Sequence, residues 1–273
     1  MKICVSPYWK GWGILALSLL IFLAGGPYWI APLERLQLPQ RSTPAPESIA
    51  TYPLLIVHVP PPLHSPPPSH KEDNLKIDTT RPAVLLFGDS MMEWLRFRLA
   101  RWLKEIGYDL YVVIWPSSNL IWWAENDTLP YLIQTLKPAY IIVSLGGNEL
   151  FIPRIERRKP YMEKILQIIG DIPYVWVGPP NWAEDTGIND LIARAVGPGR
   201  YFASKRLTFE RLEDGAHPTP RSSYAWADSI AAYLRDSALV PLYLPSTPPG
   251  PPYLTNPKST WLLPPHPPRP SHS

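Results

Sequence analysis

The sequence predicts an α/β domain in which a parallel β-sheet is covered by helices on both faces. Short apolar runs alternate with segments in which apolar residues recur every three or four positions. The connections between these runs are short, and strand–helix alternation of this kind is typical of a parallel sheet. The alternation extends over residues 75–239, which is enough chain for one domain.

The first strand and helix surround a Gly-Asp-Ser turn. Apolar residues follow Pro82 and end at Gly88, which indicates a short buried strand. A helical pattern then starts at Met91. Ser90 is therefore expected where a strand ends and a helix begins, and this is the edge at which open α/β sheets bind ligands. The simpler alternative is that Ser90 or Asp89 only caps the helix.

The same patterns predict the remaining elements. Strands are expected at 109–114, 140–144 and 174–177, with a weak one near Tyr201. Helices are expected at 124–136, 161–169, 187–196 and 222–237.

The regions outside this core are rich in proline. The chain has 273 residues and 37 prolines, most of them before residue 70 or after residue 240. We predict a proline-rich linker at 32–74 and a disordered tail at 240–273. Trp261-Leu262-Leu263 in this tail is expected to be a random apolar cluster, and the alternative is a short docking motif.

An uncharged segment at 11–31 precedes the linker and has the length of a membrane span. Lys2 and Lys10 lie before it, so residues 1–10 are expected in the cytoplasm and the core outside. This predicts a single-pass signal-anchor in a bacterial cell membrane. The alternative is a cleaved signal peptide and a secreted protein, which Pro27, directly after the small residues of the cleavage site, disfavours.

Charge and composition exclude several function classes. A net charge of +3 and the lack of a basic stripe argue against nucleic acid as a partner, and the arginines of the first helix are expected on its solvated face. Cys4 is the only cysteine, which excludes disulfides and a thiol nucleophile in the core. Five of the histidines lie in the proline-rich ends, without other ligands at metal-binding spacing, so no metal is expected.

Two further motifs follow predicted strands. Residues 144–149 read Ser-Leu-Gly-Gly-Asn-Glu, and Asn148 offers an amide donor over the same sheet edge as Ser90. Asp214 and His217 lie three residues apart before the last helix, so the carboxylate can hold one nitrogen of the imidazole. Each motif alone is an ordinary turn. Together they supply the nucleophile, base, orienting group and oxyanion donor of acyl transfer.

The three motifs resemble the blocks of the SGNH (GDSL-type) hydrolase superfamily, in particular its polysaccharide and peptidoglycan O-acetylesterase-like members. The resemblance implies a three-layer α/β/α, flavodoxin-like sandwich with about five parallel strands. It implies that Ser90 is the nucleophile, His217 the base and Asp214 its orienting group, with no cofactor. The oxyanion donors would be the N–H of Ser90, the amide of Asn148 and a backbone N–H from a block that usually has glycine. Residues 115–120, where this block is expected, have no glycine, and Asn119 is the best match because asparagine tolerates left-handed backbone angles better than other non-glycine residues.

Weaker candidates surround these residues. Asp89 is expected to cap or brace the turn, and Glu149 to act as structural support. Gly147 and Trp182 are weak candidates for substrate binding, Trp182 because an aromatic ring can line a sugar-binding cleft. Core packing is expected to explain most of the other tryptophans.

These observations lead to a membrane-anchored extracytoplasmic serine esterase. Its expected substrate is an acylated glycan of the cell surface or cell wall, from which O-acetyl groups are removed or transferred. Two alternatives stay open: a lipase or lysophospholipase acting on longer acyl chains, and a non-catalytic envelope module that keeps the fold.

Overall fold

A computed structural model describes residues 81–265, in which six parallel strands form one sheet. The strands are β1 (Ala83–Gly88), β2 (Asp109–Ile114), β3 (Tyr140–Ser144), β4 (Tyr174–Val177), β5 (Tyr201–Phe202) and β6 (Ser259–Leu262). Their order across the sheet is β5-β4-β3-β1-β2-β6. The parallel α/β fold is confirmed, but the expected strand number of about five is wrong because the proline-rich tail adds a sixth.

Helices cover both faces of the sheet. They are α1 (Leu95–Glu105), α2 (Leu120–Ala124), α3 (Thr128–Leu136), α4 (Lys159–Ile169), α5 (Ile188–Val196) and α6 (Pro220–Asp236). The first helix starts later than predicted because Ser90–Met92 form a 3₁₀ turn. The helix predicted at 124–136 starts later, since α3 begins only after Asp127, and α2, which Asn119 caps, was not predicted.

Successive residues of the strands point to opposite faces, which gives the fold three layers. Leu85 and Phe87 of β1 pack in one core with helices α2 to α5. Val84 and Leu86 pack in the other core with α1 and α6. Burial on both faces explains why the strands read as continuous apolar runs.

Residues 240–265 of the tail are ordered, so the prediction of a disordered segment is wrong over this range. Strand β6 pairs with β2. Trp261 is 4 % exposed and its ring stacks on Tyr111 with centroids 6.2 Å apart. Trp261 is thus part of the core rather than of a random cluster, and the domain extends beyond residue 239.

Helix α1 is covered by the same tail, which corrects the expectation of a solvated arginine face. Arg96 and Arg98 are each 5 % exposed. Arg98 donates to the carbonyl oxygen of Tyr253 at 2.8 Å, and Arg101 donates to that of Pro252 at 2.7 Å. Proline has a carbonyl acceptor and no N–H, so a proline-rich chain suits guanidinium donors.

No helix within residues 81–265 is both long and apolar enough to cross a membrane. The predicted anchor at 11–31 and the linker at 32–74 lie outside the described residues, as does the tail beyond residue 265.

Candidate active site

Ser90 is presented by a turn that requires glycine at its start. A Cβ at Gly88 would lie 1.9 Å from the carbonyl oxygen of Ser144, because β1 and β3 pass close together there. Asp89 donates its N–H to that oxygen at 3.1 Å, and its Oδ1 accepts the N–H of Met91 at 3.0 Å. Asp89 is therefore the cap of the 3₁₀ turn, as predicted, and the Ser90 hydroxyl is not used for capping.

The Ser90 hydroxyl instead contacts the predicted base. Ser90 Oγ lies 2.8 Å from His217 Nε2, and His217 Nδ1 lies 2.6 Å from Asp214 Oδ2. Ser90 and His217 are 127 residues apart in the chain and come from opposite ends of the α/β core. The structure thus brings the three predicted residues together in the order hydroxyl, imidazole, carboxylate.

The carboxylate decides which imidazole nitrogen carries the proton. Asp214 Oδ1 accepts the N–H groups of Ala216 at 2.8 Å and His217 at 2.9 Å. These hydrogen bonds and that from the His217 ring hold the pKa of Asp214 at about 2. An ionised carboxylate only accepts, so Nδ1 is the donor in this pair and Nε2 of a neutral His217 accepts the Ser90 proton.

Asn148 and Glu149 hold the loop that precedes α2. Asn148 Nδ2 donates to the carbonyl oxygen of Ser118 at 2.8 Å, and Glu149 Oε1 accepts the N–H of Leu120 at 2.7 Å. Asn119 lies between these two partners, so it is fixed beside Asn148. The supporting role predicted for Glu149 is confirmed. An amide nitrogen carries two hydrogens, so Asn148 Nδ2 has a second donor beside the one that Ser118 accepts.

Asn119 does not have the left-handed backbone that motivated its selection. Its φ is −138°, and its Oδ1 caps α2 by accepting the N–H groups of Ile121 and Trp122. Ser117 is the left-handed residue of this loop, with φ 61°. The role of the Asn119 backbone N–H as an oxyanion donor stays a prediction.

Two carboxyl groups are buried beneath the site. Asp89 is 1 % exposed, Glu149 is fully buried, and Asp89 Oδ2 accepts the N–H of Gly147 at 3.2 Å. Burial raises the pKa of Asp89 to about 6, against the effect of its backbone hydrogen bonds. Burial also raises the pKa of Glu149 to about 7, and the nearby charge of Asp89 adds to this shift.

Gly147 and Trp182 lie next to Asn148, but the backbone of Gly147 is already engaged. Its N–H is bound by Asp89 and its carbonyl oxygen accepts the indole N–H of Trp182 at 3.0 Å. Gly147 is therefore a structural residue of the turn. The partly buried Trp182 packs edge-on against Phe151, which is 52 % exposed and which the sequence analysis missed.

Arg211 is a second residue that the sequence analysis missed. Its guanidinium donates to the carbonyl oxygens of Ala216, Pro180 and Asn181. It thereby joins the loop of His217 to the loop of Trp182. No motif marks it, because an arginine in a polar loop has the pattern of a solvated side chain.

The part of the chain between residues 81 and 265 contains no group of three His, Cys, Asp or Glu side chains arranged to hold a metal ion.

The fold and the site define an α/β domain with a Ser–His–Asp arrangement at the carboxyl edge of a parallel sheet. No family model matches the chain, and no curated protein matches it. Solved structures do match. One of them has 14 % sequence identity and a TM-score of 0.45, over 56 % of this chain and 97 % of its own length. A similarity at this level carries no functional argument.

Proposed function

We propose that this protein is a serine esterase of the SGNH type. One observation carries the proposal: the Ser90 hydroxyl lies 2.8 Å from an imidazole whose other nitrogen is bound by Asp214 at 2.6 Å. The alternative for Ser90, a helix cap, loses its support because Asp89 is the cap.

Acylation follows from this geometry. As Ser90 Oγ bonds to the ester carbonyl carbon, its proton passes to His217 Nε2. Asp214 stabilises the imidazolium that forms. The tetrahedral intermediate then collapses: the bond between carbon and the alcohol oxygen breaks, and His217 returns the proton to the leaving alcohol. The acyl group is left on Ser90.

We assign the oxyanion to three donors. The N–H of Ser90 is at the start of a 3₁₀ turn, where helical hydrogen bonding does not use it. The amide of Asn148, in the neighbouring 3₁₀ turn, provides the second donor. Asn119, which Asn148 and Glu149 hold in place, provides the third.

Deacylation uses the same groups in reverse. His217 takes a proton from water, the water oxygen bonds to the acyl carbon, and Ser90 leaves with the returned proton as a carboxylic acid is released. A sugar hydroxyl in place of water would make the reaction an acyl transfer. The side chain of Asp214 is 47 % exposed and that of His217 32 %, so water can reach the base.

The proposed substrate is an O-acetylated glycan. Trp182 donates its indole N–H to the carbonyl oxygen of Gly147, the residue before Asn148, and packs against exposed Phe151. The two rings offer aromatic surface next to the Asn148 turn, which suits the apolar faces of sugar rings. The apolar segment at 11–31 supports a membrane anchor, which would hold the enzyme close to cell-surface polymers.

Hydrolysis of p-nitrophenyl acetate by the full chain tests the reaction. Ser90→Ala should lower kcat by about 10³-fold or more. The matched control is Ser229→Ala on α6, whose hydroxyl only donates to the carbonyl oxygen of Ala225. Equal turnover by wild type and Ser90→Ala would reject Ser90 as the nucleophile. Activity on esters of increasing acyl length separates the acetylesterase from the lipase alternative.

A further inference from the structure

The segment that carries Asp214 and His217 is a loop whose tip is exposed to solvent. Leu212 is 40 % exposed, and residues 212–215 all face solvent. The loop is closed by two main-chain hydrogen bonds of 2.8 Å, from Leu212 N–H to His217 O and from Thr219 N–H to Glu210 O. These bonds join the two ends of the loop, residues 210–212 and 217–219. They do not fix its position relative to Ser90, which lies after β1.

Arg211 supplies a link from this loop to the rest of the domain. Its Nη1 donates to the carbonyl oxygen of Ala216. Its Nη2 donates to the carbonyl oxygens of Asn181 at 2.6 Å and Pro180 at 3.2 Å. Partial burial lowers the pKa of Arg211, but a guanidinium stays charged in proteins, so these hydrogen bonds are charge-assisted.

The peptide group between Ala216 and His217 is held on both sides. Its carbonyl oxygen accepts from Arg211, and its N–H donates to Asp214 Oδ1 at 2.9 Å. A peptide group is planar, so two fixed ends fix its orientation. That orientation sets the direction in which the His217 side chain leaves the backbone, and so where Nε2 lies relative to Ser90.

The other end of the link is rigid. Pro180 and Asn181 follow β4 by a few residues, and Pro180 is buried. Asn181 Oδ1 accepts from the side-chain amide of Asn189 at 2.9 Å, and Asn189 is fully buried on α5. Through these partners, Arg211 ties the loop of His217 to the sheet that also carries Ser90.

We propose that Arg211 is a positioning residue, which acts through the Ala216–His217 peptide and sets the distance from His217 to Ser90. The kinetic part of this inference rests on the proposed esterase function. The structural part, that Arg211 holds His217 against Asp214 and Ser90, is independent of any reaction.

Two readouts on the full chain test the inference. The first readout is kcat and KM for p-nitrophenyl acetate, with the concentration of active sites determined by titration with a fluorophosphonate. The second is the low-field NMR resonance of the His217 Nδ1 proton, assigned by its loss in Asp214→Asn. Arg211→Met should lower kcat about 10²-fold with little change in KM, as for a displaced catalytic group. It should also remove the resonance.

Two variants control for charge and for folding. Lysine in Arg211→Lys can donate to one of the carbonyl oxygens, but it lacks the planar guanidinium that reaches all three. Its kcat should therefore lie between those of Arg211→Met and wild type. Arg221→Met removes an exposed arginine four residues after His217 and should leave kcat and the resonance unchanged. If Arg211→Met does not fold, Arg211→Gln takes its place with the same two readouts.

The outcomes separate this inference from the proposed function. A melting temperature that falls while kcat per titrated site stays normal would show a merely structural role and overturn the inference. Retention of the resonance in Arg211→Met would also overturn it. If the wild type hydrolyses no ester, the proposed function fails, and the resonance alone decides whether Arg211 positions His217.

Discussion

Replacement of Glu149 by Gln probes the buried carboxyl group beneath the candidate site. Glu149 is fully buried, and its Oε1 accepts the N–H of Leu120 at 2.7 Å while its Oε2 has no hydrogen-bond partner among the described residues. A glutamine keeps the acceptor oxygen and the shape but cannot ionise. The difference between the variant and wild type therefore measures how much the negative charge of ionised Glu149 lowers the unfolding free energy.

The raised pKa sets the size and sign of the effect. The pKa of Glu149 is raised from 4.5 to about 7. The folded protein thus binds this proton more tightly than the unfolded chain does. The stability that this group contributes is fully present below pH 4.5 and is lost as the pH rises through 7. One pKa unit corresponds to about 1.4 kcal/mol, so the loss is about 3 kcal/mol.

Urea unfolding of wild type and Glu149→Gln at pH 5 and pH 8 measures this difference. The variant should gain about 2.5 kcal/mol in unfolding free energy relative to wild type between the two conditions, because pH 5 is already above 4.5 and part of the loss has occurred there. Glu163→Gln is the matched control, because Glu163 pairs with Lys159 on the surface of α4, with both side chains about half exposed. A Glu149→Gln effect that is identical at both pH values would refute the reasoning.

Three further substitutions test other parts of the structure. Asn148→Ala removes a proposed oxyanion donor and should lower kcat for p-nitrophenyl acetate by about 10²–10³-fold with little change in KM. Gly88→Ala places a Cβ 1.9 Å from the Ser144 carbonyl oxygen and should destabilise the fold by about 3 kcal/mol or more, measured by urea unfolding. Trp261→Ala empties a core position on β6 and should cost about 3–5 kcal/mol in the same assay.

Each of these variants has an outcome that would contradict it. An unchanged kcat in Asn148→Ala would exclude its amide from the oxyanion site. Gly250→Ala is the control for Gly88→Ala, because a Cβ added at Gly250 would meet no atom within 4 Å. It should leave the unfolding free energy unchanged. Stability unaffected by Trp261→Ala would mean that β6 is not part of the folded domain.

Strands β2, β3 and β4 begin and end as the sequence predicts, because strands buried on both faces read as nearly continuous apolar runs. Strand β6 could not be predicted in the same way. It has four residues, two of them Ser259 and Thr260, and proline-rich chain surrounds it. This segment is held by contacts with residues far away in the chain, such as the hydrogen bond from Arg98 to the carbonyl oxygen of Tyr253, 155 residues later.

The candidate site was also predictable from the sequence only in part. Ser90, Asp214, His217 and Asn148 were found because each belongs to a short motif after a predicted strand. The partners that hold them were not found, because Arg211 acts by donating to backbone carbonyl oxygens, and a carbonyl oxygen leaves no mark in a sequence. The geometry of Asn119 was missed for a related reason: the left-handed turn of its loop is at Ser117.

The late position of β6 in the chain affects how the sheet is completed. Strand β2 lies between β1 and β6 in the sheet. Only one α-helix separates β1 from β2 in the chain, but β6 comes much later: the indole N–H of Trp115, just after β2, donates to the carbonyl oxygen of Pro264, 149 residues away. During synthesis the outer edge of β2 therefore stays open until nearly the whole domain has emerged. Pairings of such long separation close slowly, and an open edge is the part of a sheet where a second nascent chain adds a strand. Ordered proline-rich sequence at this edge is thus also a guard against association between incompletely folded copies.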